Sequence, residues 1–196
     1  KNYLNLAPAL FKLLQNSNNN WMLIKIVKLF SNLMSEEPRL ARKLMGPLCN
    51  IIQSTDAKSL MYECVSTVIS GLPHVRKSDG SNDKNIQDIV LLCSSKLREF
   101  VSEQDQNLKY LGLVGFSHLM SFSKAAVTEE RGLVLQCLSD EDTTIRIRAL
   151  DLLAGMVTKR NLIPIVQRLM EHIEDSEGIY RNELISKILY ICSNDK

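Results

Sequence analysis

The chain has few of the features that mark membrane proteins, disulfide-rich domains or metalloproteins. No apolar run in its 196 residues approaches the roughly 18–20 that cross a bilayer, which excludes a predicted membrane span. Its five cysteines are odd in number and none forms a C-x-x-C pair, so neither a disulfide framework nor a zinc site is expected. We expect them instead to be small buried residues in a reducing compartment.

Motifs of catalysis and nucleic-acid binding are also missing. The three histidines, His74, His118 and His172, are far apart in the chain, and no H-E-x-x-H, G-x-S-x-G, P-loop or G-x-G-x-x-G sequence occurs. We therefore predict that the protein is not an enzyme and needs no cofactor or metal. A net charge of only +2 and an aromatic content of 6% argue against nucleic acid as a partner.

What the sequence does contain is a repeat. Five similar amphipathic segments begin 35 to 48 residues apart, at Asn20, Ser59, Asn107, Thr144 and Ile179. Each is preceded by another segment with apolar residues at helical spacing. A period near 40 with two helices per unit is typical of HEAT and armadillo repeats.

The predicted fold is therefore an all-α, right-handed α-solenoid of about five HEAT/armadillo-like helix pairs, with the second helices lining a concave side. We expect residues 1–196 to form a single solenoid segment. The polar stretch 73–85 is predicted to be an exposed loop insertion, and it accounts for the longest spacing. Because the sequence begins with Lys1 rather than Met, we also expect it to be a piece of a longer chain.

Charge is distributed unevenly along this chain. Residues 1–77 carry 10 Lys and Arg against 4 Asp and Glu, whereas residues 78–196 carry 14 against 18. The basic side chains that share helix faces in the first part are the candidate partner-binding residues Lys25, Lys28, Arg39, Arg42 and Lys43. With Lys12, Arg76 and Lys77 they form a band suited to an acidic protein or anionic lipid headgroups. A solvated face without a partner is the alternative.

Five further residues carry specific expectations. Trp21, the only tryptophan, is predicted to pack at a junction between repeats. Arg146 and Arg148 are predicted to pair with acidic residues of a neighbouring repeat, as in a ladder of ion pairs. Gly112 and Gly115 are predicted to permit close packing of helices.

Several blocks of the sequence resemble one family, the large adaptins, in the same order along the chain. The blocks are Asn18–Phe30, Glu37–Leu40, Leu60–Val65, Asp105–Leu113 and Ile145–Leu153. The last block, continued through Leu162, is most similar to the delta-type adaptins of adaptor protein complex 3. The likeness runs from Tyr3 to Cys192 and is weakest around residues 73–85.

The resemblance implies the middle of an adaptin trunk, a scaffold for vesicle-mediated transport and cargo sorting from Golgi or endosomes to the lysosome or vacuole. It implies small, medium and beta-type adaptor subunits as partners, with an Arf-type GTPase as a further one. Membrane contact would then be indirect, through a cytoplasmic complex peripheral to Golgi or endosomal membranes. The resemblance does not identify any residue of this chain as part of a binding site for cargo signals.

Two other interpretations of the residues stay open. One is a HEAT-repeat scaffold of another class, such as a phosphatase scaffold or a nuclear transport receptor. The other is a protein that binds membranes directly through its basic surface. The identity of the proteins that the chain captures from solution distinguishes another HEAT-repeat scaffold from an adaptin. Salt-sensitive binding to liposomes would indicate direct membrane binding.

Overall fold

The computed structural model describes residues 4–75 and 84–193. Within these ranges the chain is helical and contains no strand. The α-helices are α1 (Ala7–Asn16), α2 (Asn20–Glu36), α3 (Arg39–Ser54), α4 (Lys58–Val75), α5 (Lys84–Ser102), α6 (Gln106–Phe122), α7 (Lys124–Thr128), α8 (Arg131–Gln136), α9 (Thr143–Met156), α10 (Leu162–Glu174) and α11 (Gly178–Ser193). Short 3-10 helices cover Leu4–Leu6 and Cys137–Ser139.

The helices follow one another as pairs, and the five second helices are α2, α4, α6, α9 and α11. Four of the five pairs consist of two continuous helices, as predicted, but the first helix of the fourth pair is divided into α7, α8 and a 3-10 turn. The division falls at Glu129–Glu130. Glu130 is buried there and its carboxylate binds Arg98 of α5, which holds the chain in a turn between the two short helices.

The described residues group into two compact units, Lys1–Lys96 and Leu97–Lys196. In the first unit, α4 packs against both α2 and α3. The fully buried Phe30 of α2 lies 4.9 Å from the ring of Phe11 in α1. Gly71 of α4 lies so close to Met34 and Met45 that a Cβ atom there would collide with the Met45 methyl group.

In the second unit, α9 packs between α6 and α11. The side chains of Phe116, Leu150 and Leu184, one from each of these helices, are fully buried. The predicted close packing at Gly112 and Gly115 is confirmed. A Cβ atom on Gly112 would lie 2.6 Å from Cγ2 of Val101, and one on Gly115 would collide with Leu97.

Side-chain caps set the beginnings of three second helices. Asn19 accepts a hydrogen bond from the backbone N–H of Met22 at 3.2 Å, and Asp105 and Asp142 accept equivalent bonds at the starts of α6 and α9. These oxygens satisfy N–H groups that have no partner inside the helix. The caps therefore fix where each of these helices starts, and with it which side chains face solvent.

The bounds predicted for the loop at 73–85 are too wide. Helix α4 continues through Val75 and α5 begins at Lys84, so Pro73, His74 and Val75 at one end and Lys84 and Asn85 at the other are helical. The remainder of the predicted loop, including Arg76 and Lys77 of the predicted basic band, lies outside the described residues.

A candidate partner-binding surface

The structure places the five predicted basic residues on two helices, all of them exposed. Lys25 and Lys28 share the solvent face of α2, and Arg39, Arg42 and Lys43 share the solvent face of α3. Lys28 forms an ion pair with Glu63 of α4 at 3.0 Å, while Arg39 approaches Glu37 only to 3.8 Å. The five residues therefore lie on two successive helices of the first unit.

The prediction that Trp21 packs at a junction between repeats is wrong. Its side chain is 77% exposed, the highest value of any large apolar side chain in the described ranges. The buried stripe of α2 consists of Leu23, Ile26, Val27 and Phe30 and lies on the opposite side of the helix. Trp21 instead shares the solvent face with Lys25 and Lys28, at positions i, i+4 and i+7.

Ion pairs do join neighbouring second helices, but lysine supplies the cation. Lys109 of α6 donates a hydrogen bond to Asp140, just before α9, at 2.7 Å, and Lys187 of α11 lies 2.6 Å from Asp151 of α9. The Asp140 side chain is 8% exposed. Burial alone would raise its pKa, but hydrogen bonds from Lys109 and from the backbone N–H of Asp142 outweigh burial and hold the pKa below its ordinary value.

The prediction that Arg146 and Arg148 pair with acidic residues is wrong as well, because their partners are tyrosines. The Arg148 guanidinium lies 5.4 Å from the ring centre of Tyr110 in α6 and donates to its hydroxyl at 3.0 Å. The Arg146 guanidinium lies 4.6 Å from the ring centre of Tyr180 in α11. Residues at 146 and 148 lie on opposite flanks of α9, which lets each reach a different neighbouring helix.

These contacts hold side chains of neighbouring helices in place, and most of these side chains are partly buried. In the first unit the bridge is Lys28–Glu63 between α2 and α4. In the second unit the bridges run from α6 to α9 and from α9 to α11. A side chain that is already held by a neighbour loses less conformational entropy when a partner binds, so such a surface is preorganised for binding.

The described histidines and cysteines do not converge on a site. His74 lies in the last turn of α4, His118 is exposed on α6, and His172 lies in α10, where burial and Arg168 lower its pKa. Burial raises the pKa of Cys64 to about 12 and that of Cys137 to about 11, which keeps both as unreactive thiols at neutral pH.

Two of the five cysteines depart from the prediction of burial. Cys49 is half-buried and Cys192 is exposed. The described residues contain no group of three or more His, Cys, Asp or Glu side chains arranged to hold a metal ion. Among the described helices, none combines the length and apolar character needed to span a membrane.

A cleft of about 430 Å³ lies between the beginnings of α6 and α9. Its lining residues are Gln106, Asn107, Tyr110, Leu111, Asp142 and Thr144. The single carboxylate among them, Asp142, accepts hydrogen bonds from the N–H and hydroxyl groups of Thr144 as a helix cap. Its oxygen is therefore engaged in structure, and the cleft offers polar contacts to a partner rather than an acid–base pair.

Comparison with known proteins decides the family. The family described as "Adaptin N terminal region" matches residues 1–196. The chain belongs to the adaptin family. The predicted resemblance to large adaptins is therefore confirmed.

Two curated relatives show which adaptins the chain resembles. It is 52% identical over 194 residues to "AP-3 complex subunit delta-1" of Bos taurus and 49% identical over 195 residues to "AP-3 complex subunit delta" of Dictyostelium discoideum. Each match covers 98% of this chain and 16% of the relative. The chain thus spans about a sixth of the length of these relatives, whose names describe adaptor-complex subunits.

A structural comparison agrees with the sequence comparison. The fold matches a chain of the structure titled "Homology model of the full-length AP-3 complex in an intermediate open conformation" with a TM-score of 0.75 and 28% identity. The match covers 99% of this chain and 36% of that one. The predicted all-α solenoid of helix pairs is confirmed by this likeness.

Proposed function

We propose that this chain is a scaffold segment of a delta-type large adaptor subunit in vesicle-mediated protein transport. The observation that carries the proposal is the identity of about half of its residues to AP-3 delta subunits over nearly its whole length. In this role the segment performs no chemistry. It holds smaller subunits and supports the sorting of cargo from Golgi or endosomes to the lysosome or vacuole, on the cytoplasmic side of those membranes.

The partners that follow are the small, medium and beta-type chains of the same complex, with an Arf-type GTPase as a further partner. We infer that the exposed side chains of the second helices form the main contact surface. This inference is supported, within each unit, by bridges that fix neighbouring helices: Lys28–Glu63 in the first unit, and Lys109–Asp140 and Asp151–Lys187 in the second. The absence of a convergent acid–base set in the described clefts agrees with a binding role.

Co-expression and capture tests the proposal. The chain, tagged, is produced with the small, medium and beta-type chains of adaptor complex 3 and, in parallel, with the matching chains of another adaptor complex. We expect retention of at least one complex 3 chain and weaker retention of its counterpart. Capture of neither set by a chain that circular dichroism shows to be helical would contradict the proposal.

The basic face of α3 supports a second contact. Arg39, Arg42 and Lys43 are exposed, and the nearest carboxylate, that of Glu37, lies 3.8 Å from Arg39. We infer that this face meets an acidic surface, either of a protein or of an anionic bilayer. Sedimentation with phosphatidylserine vesicles at low and high salt tests the bilayer. A triple change to glutamine that leaves both vesicle binding and subunit capture unchanged would show that the face is only solvated.

A further inference from the structure

The solvent face of α2 carries a group of side chains that the fold does not use. Trp21, Lys25 and Lys28 lie on it at helical spacing, and we call them the α2 face. Trp21 is 77% exposed, which is unusual because transfer of an indole from water is among the more favourable side-chain burials. No described contact of the core depends on its ring.

The backbone that presents Trp21 is held firmly. The side chain of Asn19 accepts a hydrogen bond from Met22, and the N–H of Asn19 donates to the hydroxyl of Ser17 at 3.1 Å. On the reverse side of the helix, Val27 and Phe30 are completely buried. The tryptophan therefore sits on a preorganised helix start, and a partner that covers it does not have to order the backbone.

The charges beside Trp21 indicate that the surface of a partner would be acidic. Lys25, one turn further along α2, has no ion pair within residues 4–75 and 84–193. Lys28 is held by Glu63 at 3.0 Å and lines the same face. Residues 4–75 contain seven Lys and Arg against four Asp and Glu, so the surroundings of the face are basic overall.

We propose that the α2 face is a binding hot spot for an acidic surface of another adaptor chain, with an apolar side chain packed on the Trp21 ring and a carboxylate bound to Lys25. This deepens the proposed function and rests on it. Tryptophan is enriched among residues that dominate binding energy, particularly where charged contacts surround an apolar centre. An acidic partner gains an ion pair at Lys25 that no described residue supplies.

Three variants test the α2 face. Trp21→Ala removes the ring and Lys25→Glu reverses the free charge, while Arg160→Glu, at an exposed position in the turn before α10, is the control because it also replaces a positive by a negative charge but lies outside α2 and outside the predicted basic band. All three side chains are exposed, so each variant should retain the wild-type melting temperature. Binding of the co-expressed small, medium and beta-type chains is then measured for each variant.

The expected result is a dissociation constant about 30-fold higher for Trp21→Ala, the factor that separates hot spots from ordinary contacts. Lys25→Glu should weaken binding about five-fold or more, with a smaller salt dependence. Arg160→Glu should change it by less than about two-fold. Because the chain has a single tryptophan, incorporation of fluorotryptophan gives one ¹⁹F resonance from this protein, which should shift when the partner chains are added.

The other outcomes distinguish failure of the α2 face from failure of the proposed function, and a protein partner from other partners. If the wild-type chain captures adaptor chains and Trp21→Ala captures them equally well, the hot spot is refuted while the proposed function stands. If the wild-type chain captures none of them, the proposed function fails and this inference with it. Two results, each without an effect of Trp21→Ala on subunit capture, would overturn the proposal of an acidic protein partner. Trp21-dependent sedimentation with phosphatidylserine vesicles would show that the α2 face binds a bilayer. A Trp21-dependent dimer in light scattering would show that it binds a second copy of the chain.

Discussion

The bridge between Lys109 and Asp140 offers a quantitative test of how the second helices are held together. Asp140 is nearly buried and its carboxylate accepts hydrogen bonds from the Lys109 ammonium at 2.7 Å, from the Asp142 N–H at 3.0 Å and from the Gln106 side chain. Asp140→Ala removes all of these bonds. Asp140→Asn keeps an acceptor for the Asp142 N–H but removes the charge that faces Lys109.

The magnitude follows from these contacts. A hydrogen bond to a charged group contributes about 1.5–3 kcal/mol, and a bond of the helix-start type contributes about 1 kcal/mol. The loss of free energy is partly offset, because Lys109 is 22% exposed and its ammonium group can be hydrated once the carboxylate is removed. We therefore expect Asp140→Ala to lower the free energy of unfolding by about 2–3 kcal/mol, or roughly 4–12 °C in melting temperature.

A double-mutant cycle isolates the pair from the other effects. Asp140→Ala, Lys109→Met and the double variant are unfolded by urea and followed by circular dichroism. We expect a coupling energy of about 1–2 kcal/mol. The exposed pair Arg168–Glu171, at 57% and 63% exposure, is the matched control and should couple by less than about 0.5 kcal/mol. Equal coupling in the two pairs would refute the argument that burial makes the Lys109–Asp140 bridge strong.

Three further predictions follow from packing and titration. Leu150→Ala, at a fully buried position, should lower the free energy of unfolding measured by chemical denaturation by about 2–5 kcal/mol. Leu189→Ala, at 65% exposure, should lower it by less than about 1 kcal/mol. Similar values for the two variants would contradict the assignment of Leu150 to the core. Gly115→Ala should destabilise because its methyl group collides with the fully buried Leu97 side chain, and a wild-type melting temperature would show that this side chain can move aside without cost. The pKa of Asp140 is lower in the folded state than in the unfolded state. The contribution of Asp140 to stability is therefore complete above the unfolded pKa of about 3.9 and is lost as pH falls through the folded pKa. Between pH 5 and 3 the wild type should thus lose more stability than Asp140→Asn. An equal acid loss in the two proteins would show that Asp140 does not carry this dependence.

Helical periodicity was sufficient to predict most of the architecture. The apolar stripe of α2, with Leu23, Ile26, Val27 and Phe30 in register, identifies both the helix and its buried side. The requirement for glycine at Gly112 and Gly115 also follows from the pattern, because a residue without a side chain inside an apolar stripe indicates a close neighbour. These features depend on local spacing, which one sequence displays directly.

The errors concern features that depend on several segments at once. The division of the fourth pair depends on Glu130 meeting Arg98, a residue 32 positions earlier, and no local signal marks that contact. Arg146 and Arg148 have acidic residues near them in sequence, but their rotation around α9 directs them to tyrosines of the adjoining helices. The pairing of side chains between repeats is set by helix rotation and offset, which periodicity alone does not determine.

Trp21 was misplaced for a different reason. Its apolar character predicts burial, yet its position relative to Leu23 and Ile26 puts it on the polar face with Lys25, and the helical spacing already contains this information. The general preference of tryptophan for the interior does not override this angular position.

Lysine cross-linking of the chain assembled with the small, medium and beta-type adaptor chains tests the central claim most directly. Lys25 and Lys28 report on α2, Lys187 on α11, and Lys12 and Lys43 on the first helices α1 and α3. If the second helices hold the other subunits, cross-links to those chains should arise from Lys25, Lys28 and Lys187 in preference to Lys12. Cross-links confined to Lys12 and Lys43, in a complex that contains all of the chains, would contradict the account.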